Sequence, residues 1–487
     1  MKLSRREKIS FFACFSRTFS FFCATISSSF IFLRKGRIMS PFRIKLSPSQ
    51  RIIISFLFVI LTGSILLSLP ISQISTSTAS YWDHLFTSVS MVCVTGLFTK
   101  AVAETYSTFG QIICMMLIQI GGLSLIGFIG LFALRGGRKM NFINMATLQE
   151  ALNRSDTKYF RNFLKSAFGF TLAVEAFGAL LLSFHFVPEF GWARGLFTSI
   201  FVAISAFCNA GFDNFGATSI MRYVDNPLIN ITLASLIIMG GLGFSVWFDL
   251  QTQIGQKRSL RKLGFHTKIV LGLTAIILTL GTLTTLLTEW NNPSTIGQLS
   301  FGHKLLASFF QTVTMRTAGF ASIDYTKAEP ITLLLYIFQM MLGGAPGGTA
   351  GGIKITAFLT LVLYARSEIL GLPHTNFMGR TIDNLSIRKA FATFSVFLLM
   401  FIIGLFALAL TDDRQPLLFL MFEVMSALAT VGVTANLTPS LTMAGQAVIM
   451  ALMFFGRIGP LSILASLSVR KLSKTESLQY AKSSMLV

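Results

Sequence analysis

The chain has 487 residues, 53% of them hydrophobic and only 12% charged, with a mean hydropathy of +0.69 and a net charge of +21. A soluble domain carries roughly twice that charged fraction, so the apolar runs of about 20 residues indicate a polytopic membrane protein. Nucleic acid does not explain the basic excess. Of the 40 Lys and Arg, only Lys100, Arg194, Arg222, Lys304, Lys327 and Arg414 fall on the side opposite the rest, leaving aside three at membrane depth. That asymmetry follows the positive-inside rule and puts both termini in the cytoplasm, with the spans in contact with the lipids of the cytoplasmic membrane.

In chain order, a basic N-terminal segment, 1–50, comes first. Its apolar stretch over 11–33 is interrupted by Arg17 and several serines, and no small-residue cleavage site follows. Three readings stay open: a cytoplasmic or interfacial arm, an extra weak span, or, with Met39 as the start, a segment outside the protein. Four repeats follow, at 51–135, 136–250, 251–365 and 366–469, and a basic cytoplasmic tail, 470–487, completes the chain.

Each repeat reads as a span, a short amphipathic helix, a glycine turn and a second span. The helix-and-turn segments are "LFTSVSMVCVTGL", "LFTSIFVAISAFCNAGFDNF", "LLASFFQTVTMRTAGFAS" and "LMFEVMSALATVGVTANL". Their turn glycines, Gly96, Gly211, Gly319 and Gly432, lie 115, 108 and 113 residues apart, a near-constant period over long intervals. First spans are expected near 51–70, 166–187, 267–288 and 390–410, and second spans near 109–133, 227–248, 331–364 and 442–468. The segments between them are too short and polar to cross a membrane, yet too apolar for plain outer loops.

The second spans share a small-residue signature: "QIGGLSLIGF", "IMGGLGFSVW", "MLGGAPGGTAGGIK" and "FFGRIGPLSI". Glycine lets helix backbones approach closely, so these points mark where the inner spans crowd a central axis. In the third repeat the signature interrupts the span. The run 331–365 would measure about 52 Å as one helix, against a hydrocarbon core of roughly 30 Å. Breaking it leaves two pieces joined by 343–352, where Pro346 prevents the helix from resuming.

Backbone outside a helix is tolerated at membrane depth only inside protein or beside water. Four glycine turns around one axis meet that condition and can aim carbonyls at a cation in place of its hydration shell. The alternative, simple glycine contacts between helices, accounts for one turn but poorly for four in register. The candidate ion-binding residues are Val94, Thr95 and Gly96; Asn209, Ala210 and Gly211; Thr317, Ala318 and Gly319; and Thr430, Val431 and Gly432. The fold class is thus all-α and polytopic, with eight transmembrane and four re-entrant helices in four parallel repeats around a central pore.

These residues resemble the Trk/Ktr/HKT superfamily of potassium transporters, and within it the pore-forming Ktr-type subunit. The turns "CVTGL", "CNAGF", "RTAGF" and "ATVGV" are similar to its four filter loops, "GGAPGGTAGGIK" to the intramembrane loop of its third repeat, and "GRIGP" to a fourth-repeat motif. The ordered set covers about 51–469. The resemblance implies potassium uptake, a gate built from Gly343, Gly344, Pro346, Gly347, Gly348, Gly351 and Gly352 with Lys354 at its end, and a homodimer with one pore per subunit. It also implies a separately encoded cytoplasmic ring of nucleotide-binding regulatory subunits. A sodium-preferring transporter of the same architecture, of the kind labelled a sodium-translocating ATPase subunit, remains the alternative, and sodium stays open as a coupling ion.

Three basic residues, Arg316, Lys354 and Arg457, fall at or near membrane depth, where a charge is costly and by default functional. Arg316 precedes its turn and either braces the loop carbonyls or acts as an ion barrier. Arg457 either flanks the pore, as its family counterpart does, or pairs with Glu423. Lys354 either holds a closed form or snorkels to the interface. Five cysteines without a CxxC pair and five scattered histidines suggest no transition metal. "GGTAGGIKIT" fails as a phosphate loop because Ile353 separates Gly352 from Lys354. No nucleophile and base come together, no bound cofactor is expected, and the parallel repeats argue against an inverted-repeat carrier.

Overall fold

The computed structural model describes residues 48–123, 160–255 and 262–459. The readings placed on 1–47, on the first basic loop, on Pro460 and on the tail 470–487 lie outside the described residues. Among the described residues, four helices are long and apolar enough to span a membrane: α1 (Pro48–Ser68), α4 (Phe160–Phe190), α8 (Phe265–Thr288) and α12 (Asn384–Thr411). Each is followed by a shorter helix: α2 (Tyr81–Val92), α5 (Trp192–Phe207), α9 (Phe301–Thr314) and α13 (Leu417–Leu428).

The helices that follow the turns begin at residues suited to the task. Ser107, Asn226 and Thr442 accept the third amide of α3 (Thr108–Gly122), α6 (Pro227–Gly241) and α14 (Met443–Ile458), and Glu329 precedes Pro330 at the start of α10 (Pro330–Met341). In the second and third repeats the small residues end helices as well as crowd them, whereas the remainders of the expected spans 109–133 and 442–468, beyond 123 and 459, lie outside the described residues. The second repeat breaks after α6, where Gly243 has φ +87°, and α7 (Phe244–Gly255) departs at 96°. In the third, α10 and α11 (Ile355–Ile369) flank the expected interruption.

Crowding is visible too. A Cβ on Gly121, Gly240 or Gly456 would collide with the carbonyl of Val92, Phe207 or Leu428, in each case the end of the same repeat's short helix. Packing closes into a cycle. The first spans α1, α4, α8 and α12 pack on α2, α5, α9 and α13, their own short helices, while α3 packs on α5, α6 on α9, α10 on α13 and α14 back on α2. Among the described residues, an exception to an all-α fold is a hairpin before α12, Asn376–Phe377 paired with Arg380–Thr381. Met378 and Gly379, both at positive φ, form its two-residue turn.

Candidate functional site

The four short helices end in turns of one conformation. The first residue of each triplet, Val94, Asn209, Thr317 and Thr430, is left-handed, with φ of 55°, 58°, 67° and 52°. Gly96, Gly211, Gly319 and Gly432 follow at 110°, 68°, 85° and 95°. Left-handed backbone is costly for a threonine or a valine, and its fourfold recurrence at equivalent positions points to a functional constraint. A positive φ also explains why glycine closes each triplet.

The turns meet in a ring. A Cβ built on Gly96 would approach the Ala210 carbonyl oxygen, one on Gly211 the Ala318 oxygen, one on Gly319 the Val431 oxygen and one on Gly432 the Thr95 oxygen. Each turn glycine therefore faces the middle carbonyl of the next repeat, and the fourth faces the first. Every triplet residue is buried.

The segment 343–352 lies against one side of this ring. Leu342 and Ile353 pair across its base, where Gly343 N–H donates to Ile353 O at 3.0 Å. Its tip is bound to the break in the second repeat: Ala345 N–H donates to Gly241 O at 2.9 Å, Thr349 N–H to Gly240 O at 3.1 Å, and Phe244 N–H to Gly347 O at 3.2 Å. It also touches the triplets directly. Gly351 N–H donates to Thr317 Oγ1 at 3.1 Å, and the Thr349 hydroxyl lies 3.2 Å from both the Phe207 carbonyl and Asn209 Oδ1. A Cβ on Gly351 would strike Thr430 Oγ1, so the loop and the ring are in contact at three triplets. Leu242, Val246, Val270, Ala345 and Ile355 form an apolar core behind the segment.

Arg457, at the end of α14, donates to the carbonyls of Thr349, Gly121 and Gly122, joining the first and fourth repeats to the loop of the third. It does not pair with Glu423. That carboxylate accepts from the hydroxyls of Thr434 and Thr438, which follow the turn, whereas Arg457 faces the loop beneath it. Arg316 is 6% exposed, and its described hydrogen bond runs to Thr274 on α8 at 3.5 Å instead of to the loop carbonyls that a brace would use. Lys354 Nζ donates to Ala350 O at 2.6 Å, within the loop. A cavity of about 700 Å³ opens beyond the loop, lined by Gly347, Lys354, Phe244, Lys389 and Arg457 among others.

Two features escaped the sequence reading. Thr349 is the only loop side chain that reaches a triplet side chain among the described bonds, but a threonine among glycines carries no signal of its own. Glu175 is buried on α4, accepting from Gln119 at 3.0 Å, beside Cys208 and hence behind the second turn. A carboxylate in the apolar middle of a 31-residue helix, well away from Glu189 at its end, was the available signal.

Comparison with known proteins gives the family and the fold. The TrkH family, described as cation transport proteins, matches residues 16–477. The Ktr system potassium uptake protein B of Bacillus subtilis is 38% identical over 87% of this chain and 93% of that protein. The potassium/sodium uptake protein NtpJ of Enterococcus hirae is 37% identical over 91% of this chain and 98% of that protein. Among solved structures, the potassium transporter TrkH of Vibrio parahaemolyticus superposes with a TM-score of 0.70 at 19% identity, covering 88% of this chain and 86% of that one, a likeness of fold. The chain belongs to the TrkH family of cation transport proteins and is a multi-pass membrane transporter, not an enzyme.

Proposed function

We propose that this chain is the ion-translocating subunit of a potassium uptake system of the Ktr/Trk kind. The observation that carries the reading is the cyclic ring in which each turn glycine faces the next repeat's carbonyl. Carbonyls of Thr95, Ala210, Ala318 and Val431, arranged around one axis, suit a weakly hydrated cation whose water shell they replace. Eight spans arise if α3, α6 with α7, α10 with α11, and α14 each count as one crossing beside the four long helices. Both termini and the loop side then face the cytoplasm. The segment 343–352, pressed on three triplets, is the gate. By analogy with the Ktr relatives, the functional unit is a homodimer under a ring of separate cytoplasmic regulatory subunits.

Flux of potassium and sodium into proteoliposomes holding the purified protein tests the reading, with potassium expected to be favoured. A serine at position 96 brings a Cβ to about 2.8 Å from the Ala210 carbonyl, crowding the ring at one quarter. Gly96→Ser is expected to lower the potassium-over-sodium ratio by about tenfold, the equivalent of ~1.4 kcal/mol. An unchanged ratio removes Gly96 from the ion path. The sodium-preferring alternative draws on the potassium/sodium name of the Enterococcus relative, and sodium flux exceeding potassium flux in the unmodified protein would favour it.

Arg457 gives a second test. Its planar fork holds three carbonyls from two other repeats, which a lysine cannot reproduce. Arg457→Gln is expected to raise flux measured without the regulatory partner by about tenfold, each lost charged hydrogen bond being worth roughly 1.5 kcal/mol. Arg457→Lys separates the two roles open at this position. Matching the Gln variant identifies the fork as a clamp, and matching the unmodified protein identifies the charge as a barrier.

A further inference from the structure

Three serines stand in the same place behind the ring. Ser90, Ser205 and Ser426 each lie six residues before the turn glycine, third from the end of α2, α5 and α13, and all three are fully buried. Each serves its turn twice. The backbone carbonyl accepts from the middle amide of the triplet: Thr95 N–H to Ser90 O, Ala210 N–H to Ser205 O and Val431 N–H to Ser426 O, all at 2.8 Å. The hydroxyl oxygen accepts from a later amide: Gly96 N–H to Ser90 Oγ at 3.1 Å, Phe212 N–H to Ser205 Oγ at 2.9 Å and Gly432 N–H to Ser426 Oγ at 3.0 Å.

The trans peptide makes this arrangement directional. In a planar trans unit the N–H and the C=O point in opposite directions. Holding Gly96 N–H outward on Ser90 therefore turns the Thr95 carbonyl toward the axis, and Ser426 does the same for the Val431 carbonyl. Ser205 acts one peptide later and directs the Gly211 carbonyl. The third repeat departs from the pattern. Val313, with no hydroxyl, holds the equivalent position, Ala318 N–H donates to Thr314 O at 2.9 Å, and the Thr314 hydroxyl donates to Phe320 O at 2.8 Å.

We propose that Ser90, Ser205 and Ser426 are positioning residues of the ion path, whose hydroxyls fix the direction of the carbonyls facing the axis and so set the preference among cations. The inference rests on the ring being the ion path. Without the hydroxyl, a buried amide loses its acceptor, and the peptide is free to rotate its carbonyl out of the ring.

The test is the potassium-to-sodium flux ratio of the full-length protein in proteoliposomes. Ser90→Ala and Ser426→Ala are expected to lower it about five- to tenfold, the effect of one hydrogen bond, and Ser90→Thr and Ser426→Thr, which keep the hydroxyl, to restore it within about twofold. Ser88→Ala is the structural control. Ser88 is equally buried on the same helix, but its hydroxyl donates to Ile60 O of α1 at 2.7 Å, so the ratio is expected to stay unchanged while thermal stability falls. If an alanine variant does not fold, cysteine at the same site keeps the volume but accepts weakly, and decides the point. Folded Ala or Cys variants with the unmodified ratio overturn the proposal. So does a Ser88→Ala change as large as that of Ser90→Ala, since any buried serine would then suffice. If the unmodified protein prefers sodium but the serine variants still shift the ratio, the potassium reading falls and the positioning role stands.

Discussion

Alanine at Gly432 is expected to abolish ion uptake, with a loss of about a hundredfold or more, while the protein still inserts and keeps its helical content. The added Cβ meets the Thr95 carbonyl oxygen, and Gly432 already holds φ +95°, a conformation that costs a non-glycine residue roughly 1–3 kcal/mol. Neither side of the collision has an easy retreat. Gly432 N–H is bonded to Ser426 Oγ and Thr95 N–H to Ser90 O, so the turn must break one of these bonds or leave the methyl group among the carbonyls. Both outcomes remove one quarter of the ring. Gly216→Ala is the matched control, because Gly216 is also left-handed, at +116°, but has only the Glu104 side chain near its Cβ position, at 3.4 Å. It is expected to lower stability and leave uptake intact. Measurable uptake by a folded Gly432→Ala protein would place the ions elsewhere.

Excising 344–351 is expected to have the opposite effect, raising flux measured without the regulatory partner by about 10- to 100-fold. The size of the effect follows from what opening must break. Three backbone bonds tie the segment to Gly240, Gly241 and Phe244, and at ~1 kcal/mol each they favour the closed form by about a hundredfold. Reduced or unaltered flux in a folded excision variant means that the segment is structural, and the gating proposal falls.

The turns were legible in the sequence because glycine at a constant spacing is a backbone requirement, and all four glycines have positive φ. The interruption in the third repeat was legible for a related reason, since Pro346 and a run too long for the bilayer leave no continuous helix. Less visible was the break after α6, which combines Gly243 at positive φ with bonding to Gly347 and Ala345, a contact between repeats. Of the two readings of Arg457, the pairing with Glu423 is the one that the contacts do not bear out. Charge suggests a carboxylate, but at a helix end in the membrane unpaired carbonyls are the nearer acceptors, and Glu423 is satisfied by two threonines. The serines behind the turns were present in every quoted segment but one. Their role depends on where an amide points, and a residue pattern does not record that.

The cyclic order of the four turns within a single polypeptide has a consequence for how such a protein changes. A pore assembled from four identical copies can alter its lining only in fours, so a single codon rewrites every position at once. Here Gly96, Gly211, Gly319 and Gly432 face four different neighbours and are encoded separately. A substitution adjusts one quarter while three hold their shape. On the proposed reading, ion preference can therefore drift one quarter at a time through substitutions that spare the turn glycines, and the third quarter, with Val313 where the others have serine, is already one such departure from fourfold symmetry.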